Sequence, residues 1–562
     1  MLVGLLAALG GMVPAGSGRA AEPPVVLDQG WSKERRELFY YTPQGSRIIP
    51  IAWFKALEGA DGTAFAAPDS LARYGLIAPD GPHPLNPDGL PIGFALDPAR
   101  PTVATEIALA PESVGAGPRG RSVGLTCAAC HTAEVTVNGR PIRIDGAPAR
   151  FDVDRFYADL AAAVSATLFD EARFGRFAGR VLTTPGVTGA AELKLQLAGF
   201  EARLSGDAAI RRPSLVSGFG RVDALTQIVN AIAVTDQAEP ANLRPVNAPT
   251  SYPPLWLTSE LEFVQWNPIA SSPIGRNGGE VLGVYGTATL TGDPAGWYAS
   301  SLLLRELHLM ETWVADLKPP PWDQNLLGRI DTARAGRGEA LFRQHCAGCH
   351  NMPPWRRTDP ADNVFGKTFI AIGRTNYRAV GTDPLYIESL ATRLVRTNAA
   401  TARLQDGKAV VPAAAYFLQT VGAILTRAMD DAGIPRDERI AMNGFRLRRG
   451  PGGAPEPYSP PGITDLKASP LAGVWATGPY LHNGSVATVY ELLSPVAERR
   501  AVFWTGGREL DRERLGFVSD DAPGRFRFDT GLPGNRNIGH VYPPGGLPPE
   551  DRTAIVEYLK TQ

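Results

Sequence analysis

Every cysteine in the chain, four in 562 residues, belongs to a Cys-x-x-Cys-His unit: Cys127-Ala128-Ala129-Cys130-His131 and Cys346-Ala347-Gly348-Cys349-His350. Two thiols at this spacing with an imidazole directly after them form the attachment signature of a c-type haem. The thiols add across the haem vinyl groups as thioethers, and the adjoining imidazole is set beneath the iron. Competing chemistries use only part of the pattern. A zinc site built from four thiolates leaves both trailing histidines without a role. A thioredoxin-like pair needs a βαβ setting that neither flank supplies, and structural disulfides belong to small secreted scaffolds. The sequence therefore predicts two covalent c-type haems, haem 1 on His131 and haem 2 on His350.

Seven histidines are present, so five remain for other roles. His83 lies in a Pro/Gly/Asn loop and reads as solvated surface. His308 falls among Leu303, Leu304, Leu307 and Met310 on a helical pattern and reads as core, although it could also reach an iron from a distance, as could His83. His345 abuts Cys346 and reads as packing at the haem edge. His482, within Thr477-Gly478-Pro479-Tyr480-Leu481-His482-Asn483-Gly484-Ser485, and His540, just before the last helix, are the informative pair. A cytochrome c domain commonly carries its second axial ligand where His540 stands.

The flanks say what positions these groups. Arg337-Gly338-Glu339-Ala340-Leu341-Phe342 reads as a helix running into Cys346, with Gly338 and Phe342 one turn apart. Pro548 and Pro549 open a second helix through Ile555, Val556, Tyr558 and Leu559. In cytochrome c folds two such helices cross at a glycine. Around haem 1, Glu134-Val135-Thr136-Val137 alternates and Asn138-Gly139 turns the chain into Arg140-Pro141-Ile142-Arg143-Ile144, a type I′ hairpin. Helical patterns follow at about 154–169, 170–182, 189–204 and 298–317, before Pro319-Pro320-Pro321. The expected class is a mainly α, loop-rich fold of two cytochrome c-like haem domains packed together, with a few short β-hairpins. The boundaries are 1–21 for a signal peptide, 22–330 for the haem 1 domain and 331–562 for an enlarged cytochrome c domain.

Composition agrees. The chain is 44% hydrophobic and 20% charged, enough for a core and too apolar for disorder. Its 61 glycines and 50 prolines exceed ordinary usage, which suits loops wrapped around two large apolar plates. A net charge of -1 excludes a polyanion-binding surface spread over the molecule, so nucleic acid is not an expected partner. Residues Leu2 to Val13 are apolar, followed by small residues and Arg19-Ala20-Ala21. The run is shorter than the ~20 residues of a membrane span and reads as a secretory signal, although no Lys or Arg precedes it. A periplasmic or secreted protein without a membrane span is expected.

At the Thr477–Ser485 block the chain resembles the bacterial dihaem cytochrome c peroxidase superfamily, whose pattern there is Thr-Ala-Pro-Tyr-Phe-His-Asp-Gly-Ser. Asn247-Ala248-Pro249-Thr250 is similar to a second block of that superfamily. Phe39-Tyr40-Tyr41-Thr42-Pro43-Gln44-Gly45, Arg143-Ile144-Asp145-Gly146 and Phe528-Asp529-Thr530-Gly531-Leu532-Pro533 look closest to its rubber-oxygenase-like branch. The resemblance implies that His540 replaces the peroxidase methionine as second ligand of haem 2, a pairing of lower potential. It implies that His482 is a pocket residue and that Trp266 relays electrons between the haems, against the alternative of a plain core aromatic. It also implies that Asn247, Thr477 and Pro479 hold a calcium ion, a role that amide and carbonyl oxygens suit. Resting peroxidases often carry a second histidine after the first haem's proximal ligand, where this chain has Ala147 and its neighbours. Haem 1 is therefore expected to be open. Arg276, Asn277 and Glu280 are candidates for its activating groups, or else a solvated turn.

Three functions stay open at this point. One is a peroxidase-like enzyme that reduces peroxide at haem 1 with electrons passed from haem 2. Another is a rubber-oxygenase-like enzyme that holds dioxygen beside a hydrophobic polyene. The third is a dihaem electron carrier. The expected partners are a small cytochrome or cupredoxin, with peroxide, dioxygen or a hydrophobic substrate.

Overall fold

The computed structural model describes residues 23–97, 121–182, 187–458 and 462–562. The expected signal peptide lies outside the described residues. The fold is mixed rather than mainly α, being 41% helical and 15% strand. The strands form small sheets of two or three.

The hairpin after the first unit pairs Thr132–Val137 with Arg140–Asp145, and Val25–Val26 adds a third, parallel strand. Its turn residues Asn138 and Gly139 take φ of 52° and 78°, the left-handed values that a type I′ turn requires. Three helices follow, Val153–Phe169, Glu171–Val181 and Val187–Arg211. Asp152 caps the first through the Arg155 amide, and Asp170 caps the second through the amides of Ala172 and Arg173. In the first, Phe156, Tyr157, Leu160 and Val164 recur at helical spacing and are buried.

The helices Thr332–His345 and Pro549–Leu559 cross as the sequence implies. A Cβ at Gly338 would stand 1.9 Å from the Ala554 carbonyl oxygen, so only glycine permits this approach. One turn on, the Phe342 and Tyr558 rings meet at 5.3 Å. Between the second haem unit and the Thr477 block lies the long insertion, dominated by the helix Ala413–Asp431. That helix packs on the helix Pro273–Gly283 of the preceding half, and both share one hydrophobic cluster with the helix Ala224–Asn230. A second cluster joins Tyr40, Trp256 and Val314 to Phe342, Trp475 and Ile555. These two cores therefore draw residues from both sides of the proline run at 319–321.

Gly338→Ala is expected to destabilise the protein by about 3 kcal/mol or more, since the clash is with backbone rather than a movable side chain. Thermal unfolding of the variant measures it, and an unchanged midpoint would contradict the packing.

Candidate functional site

Each Cys-x-x-Cys-His unit takes the same local form. Thr126 caps the one-turn helix Cys127–Cys130 by accepting from the Ala128 amide, and the His131 amide closes onto the Cys127 carbonyl at 2.9 Å. In the second unit the His350 amide donates to the Cys346 carbonyl, also at 2.9 Å. The turn thus carries both sulfurs and the imidazole to one side. All four cysteines are free of disulfides, and among the described residues no cluster of His, Cys, Asp and Glu is arranged to hold a metal ion.

Both units open into one continuous cavity of about 870 Å³, lined by Cys127, Cys130, His131, Cys346, Cys349 and His350 together. The imidazoles are oriented alike. His131 Nδ1 lies 2.8 Å from the Pro253 carbonyl oxygen, and His350 Nδ1 lies 2.8 Å from that of Ser469. A carbonyl only accepts, so each Nδ1 carries the proton and each Nε2 keeps a lone pair for a metal. Burial holds both rings neutral, pushing His131 down to about 4 and His350 down as well.

Opposite His350 stands His540, with ring centres 6.2 Å apart. Two metal–imidazole bonds of about 2 Å, plus roughly 1 Å from each nitrogen to its ring centre, give about 6 Å. The spacing therefore fits an iron held between the two rings. Burial first, then His350 and Arg499, keep the His540 ring neutral down to about 3. His540 has φ of 52°, a costly value for a residue with a side chain, and its loop is clamped to hold it. The Arg499 guanidinium donates to the carbonyls of Asn537 at 2.5 Å, Gly539 at 2.9 Å and His540 at 3.3 Å. The His540 amide donates to the Val380 carbonyl at 2.9 Å.

No histidine ring stands in that relation to His131 among the described residues. Its ring neighbour is Tyr252 at 6.2 Å, whose hydroxyl donates to the Phe151 carbonyl at 3.0 Å. His83 and His308 do not reach the cavity wall. His83 is less exposed than expected because its ring rests against Tyr41 at 5.5 Å, and His308 is half-buried rather than core. His345 is on the wall.

Near the first unit, the helix Pro273–Gly283 presents Arg276, Asn277 and Glu280 to the cavity. They are not a solvated turn. Arg276 pairs with Glu311, donates from Nε to Asn277 Oδ1 at 2.9 Å, and both side chains of the ion pair are about nine-tenths buried. Asn277 Nδ2 donates to Glu311 Oε2 at 3.3 Å, while Glu311 Oε1 is buried without a partner among the described residues. Gln265 Nε2 donates to Glu280 Oε1 at 2.8 Å. Burial raises the Glu280 carboxyl above its ordinary range, against the opposing pull of Arg276 and Gln265.

Trp266 is on the same wall, its indole N–H donating to the Ser251 carbonyl at 2.9 Å. His482 is there too, buried, with its ring 5.7 Å from that of Tyr386 and burial holding it neutral down to about 4. Thr477 and Pro479 line the cavity and Asn247 does not. The Thr477 hydroxyl donates to the Val474 carbonyl at 2.9 Å, and the Asn247 amide donates to Asp223 at 2.9 Å.

Sequence reasoning missed Glu311, Gln265, Gln44, Arg499 and Lys467. Glu311 had a signal, an acid on the inward stripe of Leu304, Leu307, Met310 and Val314. Gln44 Oε1 accepts from the Cys127 amide at 3.2 Å, a contact between residues far apart in sequence that no local pattern announces.

Comparison with known proteins agrees with this geometry. The chain is 34% identical over 586 residues to the uncharacterised protein y4iJ of Sinorhizobium fredii (strain NBRC 101917 / NGR234), covering 95% of this chain and 92% of the relative. The chain belongs to the y4iJ family. A second protein of that organism, the uncharacterised y4iM, is 26% identical over 316 residues, 54% of this chain and 58% of its own. Residues 466–505 match the family described as RoxA-like, cytochrome c-like. That segment contains Ser469, whose carbonyl orients His350, and the whole Thr477–Ser485 block. The match supports the rubber-oxygenase-like branch and a c-type cytochrome oxidoreductase. No helix among the described residues is long and apolar enough to cross a membrane.

In haem-loaded protein, His540→Ala is expected to convert one haem from low-spin to a ligand-binding form while the other keeps its spectrum. An unaltered absorption spectrum would remove His540 from the iron.

Proposed function

We propose that this y4iJ-family protein is an exported dihaem c-type oxidoreductase whose two iron sites divide the work. The His131 site activates dioxygen or peroxide, and the His350–His540 site passes electrons. The observation that carries this reading is the unequal surroundings of two equivalent imidazoles. His350 faces a second histidine, whereas the groups near His131 are a guanidinium, an amide and two carboxyls. A c-type haem held there by Cys127, Cys130 and His131 would supply the redox chemistry.

The protein's own groups supply the rest. Arg276, buried and fixed by Glu311 and Asn277, holds positive charge where negative charge develops on oxygen. Glu280, whose carboxyl burial raises above its ordinary range, is assigned the delivery of a proton. Trp266 stands on the wall shared by both sites and is assigned the electron relay. Cys349 is exposed and Tyr542, beside His540 at 5.2 Å, is 38% exposed, which leaves an edge of the second site open to a small cytochrome or cupredoxin.

Next to Arg276 and Glu280 the wall is apolar, formed by Leu225, Ile228, Ile269, Phe417, Val421 and Leu425. Such a wall favours a hydrophobic organic substrate over peroxide alone, in the same direction as the RoxA-like match. The carrier reading has one observation behind it: Met310 also lines the cavity, and a thioether there is a competent iron ligand.

The spin state of the oxidised, haem-loaded protein separates these readings. One high-spin, cyanide-binding haem beside one inert low-spin haem is expected; two inert low-spin haems would make it a carrier. Product analysis with dioxygen and polyisoprene, against peroxide and an electron donor, then separates oxygenase from peroxidase. Glu280→Gln is expected to lower turnover about 100-fold or more. Because the carboxyl acts in its protonated form, wild-type activity falls as pH rises through the elevated Glu280 titration, and the variant loses that limb.

A further inference from the structure

Lys467 is a partly buried cation on the cavity wall, with no protein anion to balance it among the described residues. It sits in the strand Asp465–Ala468, which pairs with Gly373–Asn376. Among the described residues no carboxylate pairs with its ammonium group and no side-chain hydrogen bond holds it. Glu280 and Glu311, the carboxyls of the same wall, are tied to Gln265 and Arg276. Burial, with Arg276 as the neighbouring charge, lowers the Lys467 amine to about 8. Even partial burial of an ammonium group against an apolar cavity is unfavourable without a counter-charge, so an anion belongs beside it.

The surroundings say which anion. Two residues beyond Lys467 the Ser469 carbonyl orients His350. The register partner of Ala468 is Gly373, where a Cβ would stand 2.1 Å from the Cys349 carbonyl oxygen, so this strand pair lies directly against the second attachment turn. On its other side, the Lys467 amide donates to the Trp266 carbonyl at 2.9 Å. Lys467 is thus placed where the second haem site meets the wall shared with the first. A c-type haem brings its own carboxylates, the propionates, into this cavity.

We propose that Lys467 forms an ion pair with a propionate of the haem on His350, at the side of that haem turned toward Trp266. The proposal rests on the two-haem reading. The pair offsets the propionate charge, so its loss leaves more negative charge beside the iron and favours the oxidised form.

Haem-loaded wild type and the Lys467→Met and Lys467→Arg variants are compared, with covalent haem counted first. A wild type without two haems refutes the two-haem reading itself, whatever Lys467 does. With two haems attached, Lys467→Met is expected to shift the low-spin haem equilibrium at least tenfold toward oxidised iron near neutral pH, where lysine and propionate are both charged, about 59 mV for one electron. Its midpoint should also rise on acidification as the stranded propionate protonates, and Lys467→Arg should restore wild-type behaviour. A midpoint equal to wild type from mildly acidic to alkaline pH overturns the ion pair. Should the methionine variant fail to fold, an experimental structure of the haem-loaded wild type decides. Lys467 Nζ within salt-bridge distance of a propionate upholds the proposal, and any other placement sinks it.

Discussion

A main-chain carbonyl accepts hydrogen bonds and never donates, and two carbonyls hold the proximal imidazoles of both units. Pro253 and Ser469 fix the proton on Nδ1 of His131 and His350, turn each Nε2 toward the cavity and raise its basicity as a ligand. Those carbonyls are themselves held in a common frame. The Trp256 indole donates to the Ala472 carbonyl at 2.7 Å, the Ser251 amide to the His482 carbonyl at 2.9 Å and the Lys467 amide to the Trp266 carbonyl at 2.9 Å. The segment that orients one imidazole is therefore bonded at several points to the segment that orients the other. Neither site can shift without straining the other, which suits electron transfer between fixed centres.

From this shared frame the two sites diverge through what the dry cavity allows. Desolvation keeps imidazoles neutral, which suits His350 and His540 as a ligand pair. The same desolvation favours a neutral carboxyl at Glu280, while Glu311 pairs with the Arg276 guanidinium and offsets the cost of burying its charge. In the proposed reading, one low-dielectric environment serves a ligand pair at one end and a proton donor with a fixed cation at the other. The difference lies in side chains contributed by one helix, Pro273–Gly283, and by one clamped loop at His540.

What the sequence revealed and what it hid follows the range of the forces involved. Local chemistry was readable: the two attachment units, the Asn138-Gly139 turn, and the crossing at Gly338, where a Cβ would stand 1.9 Å from the Ala554 carbonyl oxygen. His540 was readable because it falls at a set distance before the last helix. The polar network was only half readable. Arg276, Asn277 and Glu280 share a helix, whereas their partners Gln265 and Glu311 come from other segments, and periodicity does not report which segments meet. The same holds for Arg499, whose role is to bind carbonyls about 40 residues away, and for Lys467, which looks like any strand lysine until its place on the cavity wall is known. His83 went the other way. Its loop composition suggests solvent, but an aromatic contact with Tyr41 draws it in.

The insertion gives the cavity its chemical character. A cytochrome c domain needs only its crossing helices and axial ligands to shuttle electrons, yet here the helix Ala413–Asp431 is laid against Pro273–Gly283. The approach is close at Gly278 and Gly279, where a Cβ would stand 2.7 Å from the Leu425 side chain and 3.3 Å from that of Phe417. The glycines bring the insertion close enough for Phe417, Val421 and Leu425 to complete the wall beside Arg276 and Glu280. Without that helix the wall would open to water, the Glu280 carboxyl would return toward its ordinary range, and the charge on Arg276 would be screened. In the proposed reading, the helix packing beside these glycines sets how dry the wall at Arg276 and Glu280 is, and what the insertion covers separates the reactive role from the electron-transfer role.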